Sequence, residues 1–247
     1  RPPPGLIHSF PTRRSSDLAD GTARGAEFLV NTTTESSQGA PSVTGLSDGG
    51  FVATWEGRLT GENSFEDRFG AVRGQAYNAD GTARGEEFLV NAAEQGRSPS
   101  VTGVSDGGFV AIWVDQFRAG EDTSPPAIRG QAYNADGTTR GDAFLVNTTI
   151  VSNQFDPSVT GLSDGGFVVT WEELSGRTGD DTDATAILGQ VYNADGTVRG
   201  AEFLVNTTTE GSQRLPSVTG LSDGGFVATW VDRSQTGEDT SSVGSVG

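Results

Sequence analysis

Leu46-Ser47-Asp48-Gly49-Gly50-Phe51-Val52-Ala53-Thr54-Trp55 decides the fold, because it comes back. Ser-Asp-Gly-Gly-Phe-Val starts at Ser47 and again at Ser105, Ser163 and Ser222, and Trp55, Trp113, Trp171 and Trp230 close the four copies. Outward from this stretch, Ala-Asp-Gly-Thr starts at Ala19, Ala79, Ala135 and Ala194. Phe-Leu-Val-Asn starts at Phe28, Phe88, Phe144 and Phe203, and Gly-Gln-x-Tyr-Asn at Gly74, Gly130 and Gly189. One unit of about 58 residues is thus present in four copies, and such periodicity marks a repeat architecture.

Each unit reads as four short strands. In the first copy, strand b follows Pro41 and strand c runs from Phe51 to Trp55. Strand d lies around Arg73 to Asn78 and strand a around Glu87 to Asn91. Alternation in c puts Phe51, Ala53 and Trp55 on one face and Val52 and Thr54 on the other. No segment keeps a 3.6-residue period, so helix is not expected. Asp48-Gly49, Asp106-Gly107, Asp164-Gly165 and Asp223-Gly224 are read as the b-to-c hairpins, because such turns need a residue at positive φ. Asn78-Ala79-Asp80-Gly81 joins d to a in the same way. The predicted fold is all-β: β-propeller-like tandem four-stranded antiparallel repeats, ordered b-c-d-a from centre to rim. Both tight hairpins then fall on one face of the disc, and the long c-to-d loops and a-to-b links on the other.

The expected organisation is a leader over 1–18, then repeats over 19–74, 75–130, 131–189 and 190–247, the array truncated at both ends. His8-Ser9-Phe10-Pro11-Thr12-Arg13-Arg14-Ser15-Ser16-Asp17-Leu18 resembles one reading frame of a sequencing-library adapter and matches nothing in the repeats, so residues 1–18 are set aside from fold reasoning. With them goes His8, the one histidine.

Composition narrows the chemistry. The chain has 33 acidic against 16 basic residues, a formal net charge of −17, and every basic residue is Arg. That balance argues against nucleic-acid partners and anionic membrane surfaces. No run of 18 apolar residues predicts membrane insertion. Without Cys there are neither disulfides nor thiolate metal sites. Without Cys, Lys or a usable His, the nucleophile–base pairs of covalent catalysis are missing. A carboxylate pair acting on glycosides survives this filter, although an active site is usually a singular departure from a repeat, and the acidic loop residues recur.

Those recurring acids give the metal expectation. The c-to-d loops carry Glu62, then Glu121 and Asp122, then Asp180, Asp181 and Asp183, then Glu238 and Asp239. Clustered carboxylates and carbonyls suit Ca²⁺, which takes six to eight oxygens. A solvated acidic loop is the plainer reading. The closing tryptophans are expected to pack between blades. The sequons at Asn31, Asn147 and Asn206 are expected to be strand ends and turns.

The stretch Leu46 to Trp55 and its copies resemble repeats of very large secreted bacterial proteins, where they accompany calcium-binding nonapeptides of the RTX type or adhesin modules. The resemblance covers residues 19–247, and the nonapeptide itself is absent. It implies an extracellular or cell-surface module, non-catalytic, calcium-stabilised, with a protein or glycan ligand. The same stretch is similar to the Asp-box of sialidase propellers, with two more residues before its Thr-Trp. The alternatives are a lectin-like carbohydrate-binding propeller and a sialidase-like glycosidase fragment.

Overall fold

The structure is a computed structural model that describes residues 13–14, 27–32, 37–57, 70–91, 95–117, 126–148, 152–174, 185–208, 211–233 and 244–246. Strands are numbered along the chain. β1 (Arg13–Arg14) pairs with β2 (Phe28–Leu29). The first full blade is β3 (Gln38–Gly45), β4 (Phe51–Gly57), β5 (Ala71–Tyr77) and β6 (Ala83–Leu89). The second is β7 (Gln95–Gly103), β8 (Phe109–Phe117), β9 (Ala127–Tyr133) and β10 (Thr139–Leu145). The third is β11 (Asn153–Gly161), β12 (Phe167–Leu174), β13 (Ala186–Tyr192) and β14 (Val198–Leu204). The fourth has three strands, β15 (Gln213–Gly220), β16 (Phe226–Asp232) and β17 (Gly244–Val246). Every sheet is antiparallel and ordered as in the sequence, b-c-d-a, and no helix occurs among the described residues. The architecture is an all-β propeller arrangement of four-stranded repeats.

Successive blades pack face to face. On each middle blade one face, here called leading, meets the previous blade, and the trailing face meets the next. Phe109, Ala111, Trp113 and Tyr133 lead, against Leu46, Val52, Val72 and Val90 of the blade before. Strand c is therefore buried on both faces, as its run of apolar residues in both registers requires. The phenylalanine of each strand a covers the Phe–Tyr stack of the next blade: Phe109 and Tyr133 stack at 4.8 Å, with Phe88 5.4 Å from Tyr133. The Tyr hydroxyls donate to the Val carbonyl after that phenylalanine, Tyr77 to Val30, Tyr133 to Val90 and Tyr192 to Val146.

Pro-Ser-Val-Thr-Gly in strand b explains how the innermost strands meet. Ser42 and Thr44 hydroxyls accept the amides of Val101 and Gly103 at 3.1 Å. Ser100 and Thr102 do the same for Val159 and Gly161, and Ser158 and Thr160 for Val218 and Gly220. The outer amides of each inner strand are thus satisfied by side chains of the blade before. The glycine allows that approach, since a Cβ on Gly103 would lie 2.5 Å from the Gly45 carbonyl oxygen. Gly103→Ala is expected to lower stability by about 1–3 kcal/mol through overpacking. Gly45→Ala, where a Cβ meets nothing within 4 Å, is expected to stay within about 0.5 kcal/mol in dilute solution. Equal urea midpoints for the two variants would contradict this packing.

The Asp-Gly turns are three-residue hairpins. Gly49 sits at φ 85° and donates its amide to the Leu46 carbonyl at 3.0 Å, and the Leu46 amide returns to Gly50. Gly107, Gly165 and Gly224 repeat the positive φ. Asp48 accepts the Gly50 amide and pairs with Arg84 of strand a at 2.7 Å; Asp164 pairs with Arg199 at 2.5 Å, and Asp106 pairs with Arg140. These pairs tie the b-to-c turn to the d-to-a hairpin, so both hairpins lie on one face of the blade. Hydrogen bonding from Arg84 and Arg199 holds Asp48 and Asp164 below the usual carboxylate range. A carboxyl with a depressed folded pKa stabilises above its unfolded value and loses that contribution as pH falls through the folded one. Arg199→Gln is therefore expected to flatten part of the acid limb of a stability–pH curve while leaving the slope at neutral pH unchanged.

Candidate active site

The recurring polar residues have structural partners. The amide of Gln75 donates to Ala76, Arg84 and Gly85 carbonyls and clamps the register shift between β5 and β6; Gln131 and Gln190 repeat it. Asn91, Asn147 and Asn206 accept the amides of Val72, Ile128 and Ile187 at 2.6–2.7 Å. All three are buried, so the sequons at Asn147 and Asn206 are framework. Trp113 and Trp171 are buried between blades, Trp55 is buried with Val30 and Phe28 of the β2 segment, and none of the three offers a stacking surface.

The departures from the repeat gather at the other end of strand b. Each inner strand bulges there, with register shifts at Gly39/Ser42, Arg97/Ser100, Phe155/Ser158 and Arg214/Ser217. Each bulge holds one non-glycine residue at positive φ immediately before its proline: Ala40 (45°), Ser98 (50°), Asp156 (46°) and Leu215 (54°). This left-handed backbone is uncommon outside glycine and clusters at functional sites. It is also contrary to the extended bias of pre-proline residues. The framework fixes the backbone, and the side chain differs in every copy.

The position after the strand c tryptophan varies with it, as Glu56, Val114, Glu172 and Val231. Glu56 accepts the Ser98 amide at 2.5 Å, and Glu172 the Leu215 amide at 3.4 Å, each across a blade boundary onto the next bulge. Glu172 is buried and lies 3.7 Å from the Arg214 guanidinium. Burial pushes its carboxyl up, the Leu215 amide opposes that, the Asp156 charge adds to it, and Arg214 and Arg233 pull it down; the net direction is upward. Arg97 lies between Glu56 and Asp156, 5.0 Å over the Phe155 ring, and burial lowers its pKa against the pull of both carboxylates. Two carboxylates of the third blade, Asp156 and Glu172, thus meet arginines from both neighbours: Arg97 of the second blade near Asp156, and Arg214 and Arg233 of the fourth near Glu172.

Neighbouring buried carboxylates are held differently. Asp115 pairs with Arg129 at 2.7 Å, Glu173 bonds to Ser152 and Gln154, and Asp232 accepts from Gln213 at 3.2 Å. They secure the ends of strands b and c.

The calcium candidates Glu62, Glu121, Asp122, Asp180, Asp181, Asp183, Glu238 and Asp239 all lie outside the described residues, as do the c-to-d loops that carry them. Among the described residues no three His, Cys, Asp or Glu side chains converge as a metal site. Also among them, no helix is long and apolar enough to cross a membrane.

No family model matches the sequence, and no curated protein matches it. Solved structures do. An endo-arabinase from Bacteroides thetaiotaomicron VPI-5482 superposes with a TM-score of 0.53 at 14% identity, covering 91% of this chain and 80% of that one. The GH93 α-L-arabinofuranosidase of Fusarium graminearum gives 0.51 at 11%, covering 83% and 60%. A Hadza microbial sialidase, Hz136, gives 0.50 at 13%, covering 80% of this chain and 42% of that one. The chain thus spans less than half of the sialidase. At these identities the likeness shows the propeller fold.

The expectation of a non-catalytic binding or structural module, and of no enzyme, is corrected by these findings. The propellers that share the fold are glycoside-cleaving enzymes. The acids most conspicuous in the sequence are those that recur in the c-to-d loops. Asp156, whose counterparts are Ala40, Ser98 and Leu215, lies at a strand bulge, and Glu172, shared with Glu56 but not with Val114 or Val231, lies at a strand end.

Proposed function

We propose that the chain is a carbohydrate-processing propeller of the glycosidase type, with its site at the boundary of blades three and four. The observation that carries this reading is Glu172: a buried carboxyl with its pKa raised, facing a second carboxylate, Asp156. Glycoside hydrolysis needs such a pair, one carboxyl still protonated near neutrality to protonate the leaving oxygen and one ionised across the scissile bond. Glu172 is the general acid and Asp156 the second carboxyl of the pair. Arg214 and Arg233 keep the site positive enough to hold an oxygen-rich or anionic sugar against a chain of net charge −17. The sugar-cleaving activities of the similar propellers favour glycans as the substrate class.

The test is a panel of fluorogenic arabinofuranosides, arabinan oligosaccharides and sialosides, run beside a glycan array. Turnover of one class, lost on Glu172→Gln, supports an enzyme. Array binding without turnover supports the lectin-like alternative. Neither turnover nor binding removes the glycan reading.

A further inference from the structure

The blades carry a second repeat, with a period of two. The residue after the strand c tryptophan is Glu56 and Glu172 in the first and third blades, and Val114 and Val231 in the second and fourth. The residue before the left-handed position runs in counterphase: Arg97 and Arg214 in the second and fourth blades, Gly39 and Phe155 in the first and third. Each glutamate therefore faces a blade that carries an arginine. Glu56 accepts the Ser98 amide at 2.5 Å and Glu172 the Leu215 amide at 3.4 Å, each bond ending on the residue that follows that arginine. Arg214 lies 3.7 Å from Glu172, and the Glu56 charge acts on Arg97. The arrangement at the boundary of blades three and four is thus built a first time at the boundary of blades one and two.

The two copies share one face and adjoin. Glu56 stands opposite Gly39 and Glu172 opposite Phe155, while Phe51 and Phe167, at the hairpin ends, stand opposite Gly45 and Gly161. Both copies therefore lie at the ends of the inner strands away from the Asp-Gly hairpins. Arg97 stands between Glu56 and Asp156, and the Asp156 charge acts in turn on Glu172. The row Glu56, Arg97, Asp156, Glu172 and Arg214 thus crosses three blade boundaries. Arg97 is fixed within it. Its guanidinium lies 5.0 Å over the Phe155 ring. Gln116, with its amide turned to satisfy both groups, accepts from Nε of Arg97 at 2.5 Å and from Nη2 at 2.8 Å.

We propose that the boundary of blades one and two is a second sugar subsite, contiguous with the Asp156–Glu172 pair, and that the substrate is a linear oligosaccharide lying along this row. The inference rests on the glycosidase reading of that pair. A sugar with two neighbouring hydroxyls fits the subsite: one donates to the Glu56 carboxylate, and the other accepts from the Arg97 guanidinium, which has more donors than Gln116 takes up. Glu56 gives Oε1 to the Ser98 amide, and among the described residues its Oε2 makes no bond. The subsite binds without cleaving. Where the third blade has Asp156 the first has Ala40, and the Arg97 guanidinium separates Glu56 from Asp156. No pair of carboxyls therefore spans a glycosidic bond there.

Calorimetric titration of the full chain carrying Glu172→Gln, which halts cleavage, tests this with arabinan oligosaccharides from disaccharide to hexasaccharide. Kd is expected to fall as the sugar lengthens. Adding Glu56→Gln keeps an acceptor for the Ser98 amide and removes the charge. It is expected to raise Kd for the hexasaccharide about 10- to 100-fold and to remove most of the dependence on length. Arg97→Ala, the second probe, acts in the same direction, and circular dichroism establishes that each variant is folded. A Kd independent of length, a length dependence that neither substitution touches, or no binding at millimolar sugar overturns the subsite. Any of these beside turnover that Glu172→Gln abolishes leaves hydrolysis standing without it. Length-dependent binding that Glu56→Gln weakens, in a parent chain without turnover, keeps the subsite and removes hydrolysis.

Discussion

Glu172→Gln is expected to lower glycoside turnover by about 10²–10⁴-fold, the usual contribution of a general acid. The binding geometry survives, because a glutamine oxygen still accepts the Leu215 amide. The loss falls on kcat, and most heavily for substrates with poor leaving groups, since activated aryl glycosides need little protonation. A second readout does not depend on activity. Burial raises the folded pKa of Glu172, so the folded state binds more protons than the unfolded chain between the ordinary glutamate value and the raised one. Stability due to this group therefore falls as pH rises through that window. The glutamine variant lacks that fall, and it melts higher than the parent above the window and alongside it below. The half-exposed Arg214 contact at 3.7 Å contributes little that the substitution could remove. Unchanged turnover together with an unchanged stability–pH profile would remove Glu172 from the site.

Trp171→Ala is expected to cost about 3–5 kcal/mol, the range for deleting a buried large aromatic. Trp171 sits in the largest apolar cluster, with Val104, Val110 and Ile112 of the second blade and Phe167 and Leu188 of the third. Its removal empties the interface between two blades at once, and the surrounding β-strands, hydrogen-bonded on both sides, cannot collapse into the gap. Trp230→Ala on the half-buried fourth blade is the control and costs less. Denaturant melts that give the two variants the same midpoint would show that blade–blade packing is not what sets stability here.

The repeat made the framework legible. Period-2 alternation in Phe51 to Trp55, the Asp-Gly signals and the constant spacing were enough for the strand order, the hairpin face and the burial of the tryptophans. Strand b begins earlier than Pro41, because the bulge lets Gln38 and Gly39 resume pairing beyond a residue at positive φ. That bulge was not legible, since a residue before proline is ordinarily extended. The site escaped for a related reason. Glu172 shares its residue type with Glu56 and differs from Val114 and Val231, and Asp156 differs from Ala40, Ser98 and Leu215, only when the copies are set side by side. What gives Glu172 meaning is burial across a blade boundary, which depends on tertiary packing. The acidic loops stood out in the sequence because their residues recur, and recurrence is a property of scaffold.

The four left-handed positions before proline have a bearing on how such a chain acquires new chemistry. The bulge backbone is the same whether alanine, serine, aspartate or leucine occupies it. Gene duplication therefore multiplies a vacant letter along with the sentence around it, and substitution at one letter leaves the grammar intact. The alphabet is short, since branching at Cβ is poorly tolerated at positive φ. A library varied only at residues 40, 98, 156 and 215 would sample much of what this lineage could become without disturbing a single blade.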